Sequence, residues 1–138
     1  MKKIKNWLFL LFVSILLAAS CKTINQQQLF SIGKGGGFTG KYEEYLVKST
    51  GEIYKIAENK SPELIKTLNS KRTNEVFTKF EQINITTLNF SHPGNITSYI
   101  RYTLNGKSYE IKWGDNKVVP PQNIVDFFDL VWNIVKQK

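Results

Sequence analysis

Residues 95–113, NITSYIRYTLNGKSYEIKW, decide the fold because they specify both a turn and a pairing register. Asn105 and Gly106 favour a two-residue β-turn with positive φ at both positions. With this turn, the predicted pairs on one face are Leu104 with Lys107, Tyr102 with Tyr109 and Ile100 with Ile111. The predicted pairs on the other face are Thr103 with Ser108 and Arg101 with Glu110. A slipped register would expose the apolar set, so we predict this hairpin in this register.

Outward from the hairpin, shorter apolar runs predict three further strands. Residues 29–32 form a candidate first strand. The β-rich runs 42–47 and 53–56 flank Ser49, Thr50 and Gly51, a pattern that is typical of a second hairpin with a glycine-containing turn.

Helix signals lie between and after these strands. The Ser-Pro-Glu triplet at residues 61–63 predicts a helix over 62–68, with a cap, a first-position proline and an early carboxylate. Thr73 precedes apolar residues at helical spacing, which predicts a second helix, and the proline pair at 120 and 121 opens a third that ends near Val135. We expect an α+β fold, an antiparallel sheet of four or five strands with two or three helices on one face.

The first 20 residues have the pattern of an export signal. Three lysines at positions 2, 3 and 5 precede an apolar stretch over 7–19, which is shorter than the ~20 residues needed to cross a bilayer. Residues 17–21, Leu-Ala-Ala-Ser-Cys, resemble the lipobox of bacterial lipoproteins. The resemblance implies cleavage before Cys21 and acylation of this residue. An ordinary signal peptide with an incidental cysteine, or a short anchor that stays attached, are the alternatives.

The lipobox resemblance divides the chain into a signal peptide at 1–20, the lipidated Cys21 with a polar tether at 21–28, and one domain at 29–138. It also implies a bacterial envelope address. Lys22 in place of aspartate favours the outer membrane where the organism has one. A single cysteine used as an anchor excludes thiol catalysis, an internal disulfide and a thiolate zinc cluster.

Charge and motif patterns exclude several binding classes. The chain has 19 Lys plus Arg against 11 Asp plus Glu, but only Lys71 and Arg72 are adjacent in the mature part, so we expect no nucleic-acid partner. His92, which we expect in a loop, is the only histidine, and the only cysteine is assigned to the anchor, so neither residue type is left to share a metal ion with it. Glu43 and Glu44 would point to opposite faces of a strand. We therefore predict no metal, no cofactor and no catalytic residues.

Residues 33–40, GKGGGFTG, contain five glycines in eight positions. The spacing from Gly35 to Lys41 imitates a phosphate-binding P-loop. However, Tyr42 stands where that loop needs Ser or Thr, and a strand rather than a helix follows, so we expect no nucleotide. Two interpretations stay open, a flexible or bulged connection and a loop that presents Phe38 to a partner. On the second interpretation, the residues that bind the partner are Gly35, Gly36, Gly37, Phe38, Thr39 and Gly40.

Two stretches resemble a family. The Gly-Gly-Phe-Thr-Gly turn at 36–40 after an early strand, and the tyrosine-rich hairpin at 93–113, are similar to emfourin-like proteins, small bacterial inhibitors of thermolysin-type metalloproteases. The resemblance implies a protease partner that is inhibited rather than a reaction that is catalysed. The predicted lipid anchor departs from those soluble inhibitors. Two other hypotheses are a structural or accessory envelope lipoprotein of unknown partner, and a hydrolase with an unrecognised site.

Overall fold

A computed structural model describes residues 27–114 and 117–137 of the chain, which form one sheet and two α-helices. The strands are β1 (Leu29–Gly36), β2 (Lys41–Lys48), β3 (Glu52–Ile56), β4 (Glu63–Thr67), β5 (Phe90–His92), β6 (Ile96–Leu104) and β7 (Lys107–Trp113). The helices are α1 (Ser70–Gln82) and α2 (Gln122–Lys136). A 3-10 turn over Gly37–Thr39 connects β1 to β2. The predicted signal segment and Cys21 lie outside the described residues.

The sheet has the strand order β4-β3-β2-β1-β6-β7-β5, so β1 lies at its centre. Every neighbouring pair is antiparallel except β5 with β7, which is parallel. The α+β class is confirmed. The sheet has seven strands rather than the predicted four or five. The described residues contain two α-helices, which agrees with the predicted two or three. In the part of the chain that the structure describes, neither helix is long and apolar enough to cross a membrane.

The predicted 95–113 hairpin is confirmed residue by residue. Asn105 and Gly106 have φ values of 52° and 76°, as the predicted turn requires. All five predicted cross-strand pairs are present between β6 and β7. The predicted charge pair also forms, with Arg101 Nε 3.5 Å from Glu110 Oε2. Turn chemistry and side-chain alternation were therefore sufficient to specify the register.

The helix predicted over residues 62–68 is wrong, because this segment forms β4. A helix of two turns is marginal without extensive packing, whereas the free edge of β3 supplies backbone hydrogen bonds. The strand conformation also lets Lys66 Nζ donate to the carbonyl oxygens of Ile134 and Gln137, both at 2.8 Å, at the end of α2. Tertiary pairing outweighs the local capping signal.

Two boundaries and one placement also differ from the expectations. The first strand continues past Ile32 to Gly36, because both of its edges are paired. Helix α1 begins before Thr73, since the Asn69 side chain caps it by accepting from the backbone N–H of Arg72 at 2.9 Å. The expected loop position of His92 is wrong, because this residue ends the short edge strand β5.

The core lies between the helices and one face of the sheet, and Phe30 of β1 is at its centre. Its ring stacks on Phe80 of α1, with centroids 4.5 Å apart, and meets Phe77 at 5.4 Å. Phe127 of α2 contacts the same ring at 5.3 Å. Phe30 is fully buried. One side chain of the central strand thus joins the sheet to both helices, and both helices pack on the same face, as predicted.

We expect Phe30→Ala to lower the free energy of unfolding by about 3–5 kcal/mol, because it removes a buried ring at the junction of three elements. Urea unfolding followed by circular dichroism measures the loss. Phe38→Ala is the matched control, since Phe38 is fully exposed and its removal should change stability by less than about 0.5 kcal/mol. Equal losses in the two variants would contradict this description of the core.

Candidate functional site

The segment predicted to bind a partner, residues 35–40, comprises the last two residues of β1 and the turn that leads to β2, and is called the Phe38 loop below. Its backbone is held in place by hydrogen bonds. Gly37 N donates to Asn95 O at 2.6 Å, and Gly40 N donates to Gly37 O at 3.2 Å. Thr39 Oγ1 accepts from Lys41 N at 3.4 Å. The loop is thus tied to the start of β6 as well as to itself.

Glycine is required where the loop turns. Gly36 has φ of 107°, and a Cβ there would lie 2.6 Å from Asn95 O, so a side chain would push the loop away from β6. Gly37 and Gly40 also have positive φ. Between them Phe38 is fully exposed and does not fold back onto the sheet. Of the two interpretations, this geometry fits a presented aromatic side chain better than a flexible connection.

Other apolar side chains are exposed at the same end of the sheet. Ile96, at the start of β6, lies beside Gly37, and Val119 precedes α2. Both help to line a shallow hollow of about 520 Å³ with Trp113 and Lys34. A ring that protrudes beside an apolar hollow is a common feature of protein contact surfaces.

A second candidate surface lies on the face of the sheet that the helices leave open. We call it the open-face cluster, and its residues are Tyr42, Glu44, Tyr99, Arg101, Glu110 and Lys112. They line a cleft of about 430 Å³. They come from three strands, β2, β6 and β7, and β1 lies between β2 and β6.

Tyr99 is the most buried side chain of this cluster. It is only 6% exposed although neither α1 nor α2 covers it. Gly33, its partner on β1, makes this possible, since a Cβ at that position would overlap the Tyr99 ring. Arg101 lies 5.0 Å from the ring centroid, and the Tyr42 ring lies 6.1 Å away on the other side. Burial raises the pKa of Tyr99 well above its usual range, and the hydrogen bond and charge of Glu44 raise it further.

Charged groups surround the ring in one connected network. Arg101 Nη1 lies 3.3 Å from Glu44 Oε1, and its Nε lies 3.5 Å from Glu110 Oε2. Lys112 Nζ is 2.7 Å from Glu110 Oε1. This buried oxygen has no hydrogen-bond partner of acceptable geometry, so charge alone holds it there. The network holds Arg101, Glu44 and Glu110 in place along the lining of the cleft.

The structure brings some of the predicted residues together and separates others. The adjacent Glu43 and Glu44 do lie on opposite faces, since Glu43 pairs with Lys136 of α2 and Glu44 with Arg101. His92 lies on an exposed edge strand beside Phe90. In residues 27–114 and 117–137, no group of three or more His, Cys, Asp and Glu side chains could hold a metal ion.

The role of Tyr99 was not predicted from the sequence. The pairs predicted on its face of the hairpin, Thr103 with Ser108 and Arg101 with Glu110, do not include it. The signal that could have found Tyr99 is the alternation of β1, where Gly33 leaves space on the face opposite Phe30 and Ile32. Because that space is filled by a residue of another strand, it is visible only once β1 is paired with β6.

Comparison with models of known protein families gave no match, and comparison with curated proteins gave none of significance. The similarity to emfourin-like proteins and to lipoproteins therefore stays a prediction from the quoted residues.

We expect the loss of stability at high pH to depend partly on Tyr99. Its pKa is raised in the folded protein, so its contribution is present below about pH 10 and is lost as the pH rises above this value. Tyr99→Phe cannot ionise. Between about pH 9 and about pH 11, the stability of wild type should fall by about 1 kcal/mol more than that of the variant.

Urea unfolding at the two pH values measures this difference. Lys136, whose pKa is raised by its hydrogen bond to Glu43, also loses stabilising charge at high pH, but it does so in both proteins and cancels. An identical fall in both proteins would show that Tyr99 titrates normally.

Proposed function

We propose that this chain is a non-enzymatic, lipid-anchored protein of the bacterial envelope that binds another protein through the Phe38 loop. In its most specific form, the partner is a thermolysin-like metalloprotease that the loop inhibits. The observation that carries the proposal is the full exposure of Phe38 on a loop whose backbone is tied to β6. Because the loop backbone is already held, little backbone conformational freedom is lost when the ring enters a pocket of a partner.

The position of the loop also supports the proposal. The chain enters the sheet at Gln28, whose carbonyl oxygen accepts from Ser49 N at 2.9 Å. The Phe38 loop lies at the far end of β1, about 23 Å away at the rise of an extended strand. Cys21 is eight residues before Leu29, so an anchor there would hold the entry end within about 27 Å of the membrane. The lipid would then be attached at the end of β1 opposite the Phe38 loop.

A structural or accessory envelope lipoprotein is the second candidate. The observation that favours it is the sheet face opposite α1 and α2, where the open-face cluster forms a cleft that does not include Phe38. In this case the loop would be dispensable.

We expect the purified protein to slow peptide hydrolysis by a thermolysin-like protease at micromolar concentration. Phe38→Ala should raise the inhibition constant at least about tenfold, because it removes the protruding ring. Leu64→Ala is the matched control, since Leu64 is also exposed but lies on the edge strand β4. If wild type does not inhibit, a thermolysin-like protease is excluded as the partner. A membrane pull-down with the same three proteins then tests for another partner. If all three capture the same proteins, the Phe38 loop is excluded as the binding site.

The anchor is tested separately. We expect mass spectrometry of the protein from its native membrane to find residues 1–20 removed and Cys21 carrying acyl chains. Cys21→Ser should release the protein into the soluble fraction, because about 0.8 kcal/mol per buried CH₂ is then lost. A wild-type protein with a free Cys21 thiol would contradict the lipoprotein proposal and leave the Phe38 loop untouched.

A further inference from the structure

The open-face cluster is a built surface that the Phe38 loop does not use. Its cleft of about 430 Å³ is within the size range of small-molecule sites. Tyr99 forms a buried floor beside Gly33, and Tyr42, which is about half exposed, forms one side. Side chains on a bare sheet face are commonly extended into solvent, whereas these are held against one another by ring contacts and ion pairs.

The charges of the cluster cancel. Glu44 and Glu110 carry two negative charges, and Arg101 and Lys112 carry two positive charges. Each carboxylate has a cationic partner within 3.5 Å. An anion would meet two carboxylates, and a cation would meet a guanidinium and an ammonium group. A ligand with net charge would therefore have to disrupt an existing pair, so the cluster is suited to a neutral ligand.

Hydrogen-bonding capacity remains after these pairs have formed. A guanidinium has five N–H donors, and each carboxylate oxygen has two acceptor positions, so the pairs of Arg101 and Glu44 leave several unused. A hydroxyl group can accept a hydrogen bond from the guanidinium and donate one to a carboxylate at the same time. Next to these groups, the exposed face of the Tyr42 ring offers an apolar surface. Fixed donors and acceptors beside an aromatic ring match the hydroxyl groups and the C–H face of a sugar ring.

An extended peptide fits this face less well. Strands β1, β2, β6 and β7 each lie between two neighbours, and β1 pairs with both of its neighbours from Phe30 to Gly36. A peptide on the open face could not form the main-chain ladder that gives strand addition its affinity.

We propose that the open-face cluster binds a neutral saccharide chain, with Tyr42 stacking on a sugar ring and Arg101, Glu44 and Glu110 exchanging hydrogen bonds with its hydroxyl groups. Tyr42 pairs with Gly35, so the site adjoins the Phe38 loop, but it uses neither the Phe38 ring nor the lipid anchor. The Phe38→Ala variant therefore distinguishes a failure of this proposal from a failure of the proposed function.

The test is a titration of the full chain, labelled with ¹⁵N in a zwitterionic detergent without sugar groups, with chitotetraose or maltotetraose up to about 10 mM. We expect saturable chemical-shift changes at the backbone amides of Tyr42 and Tyr99 and at the Arg101 Nε–H. Tyr42→Ala should weaken binding at least about tenfold. Phe38→Ala is the matched control, since it removes an exposed ring outside the cluster and should bind as wild type does.

Arg101→Lys provides a second variant in case Tyr42→Ala perturbs the sheet. It keeps the charge but loses the planar fork of donors, so we expect weaker binding with unchanged shifts in both helices. The proposal is overturned if neither oligosaccharide produces saturable shifts, if inorganic phosphate alone produces them at the same amides, or if both variants bind like wild type.

Discussion

The packing of Phe30 is the interaction on which the rest of the structure depends. This side chain projects from the central strand and contacts rings of both helices, through Phe77 and Phe80 of α1 and Phe127 of α2. Because β1 is hydrogen-bonded to β2 on one side and β6 on the other, fixing its position fixes the middle of the sheet. The Phe38 loop lies at the end of this strand. The open-face cluster lies on the face of the sheet opposite Phe30. Both candidate surfaces are thus held by the same buried ring.

Alternation along β1 explains why the two faces differ. Phe30 and Ile32 project toward the helices and are fully buried, whereas Gly33, which follows Ile32 and lies on the opposite face, has no side chain and accepts the ring of Tyr99 from β6. A bulky residue at 33 would remove the floor of the cleft without touching the core. The loop and the cleft also differ in chemistry, since one presents a single apolar ring and the other a balanced set of charges around two tyrosines. They are therefore suited to different kinds of partner.

Some segments of this fold could be predicted from the sequence and others could not, for physical reasons. In β6 and β7, a turn with positive φ and an alternating pattern both indicated the same register, so no other pairing competed. At residues 62–68, the cap-proline-glutamate pattern indicated a helix, but the open edge of β3 and the carbonyl groups at the end of α2 offered more favourable partners. The glycine-rich loop was identified as a candidate site from composition. The loop backbone is held by a hydrogen bond from Gly37 N to Asn95 O, 58 residues away in the chain, so the exposure of Phe38 could only be proposed.

The sequence by itself determined the elements whose signals are local: the turn at Asn105 and Gly106, the alternation of the two strands around it, the apolar face of α2 and the glycines that let the loop turn. Tertiary structure alone decided that residues 63–67 pair as a strand, that Phe38 projects into solvent, and that Tyr99, Arg101 and the two glutamates gather over Gly33. The reason is that the first set depends on backbone angles and on neighbours within a few residues. The second depends on hydrogen bonds, ring contacts and ion pairs between strands that are distant in the chain, and their free energy exists only when the sheet is assembled.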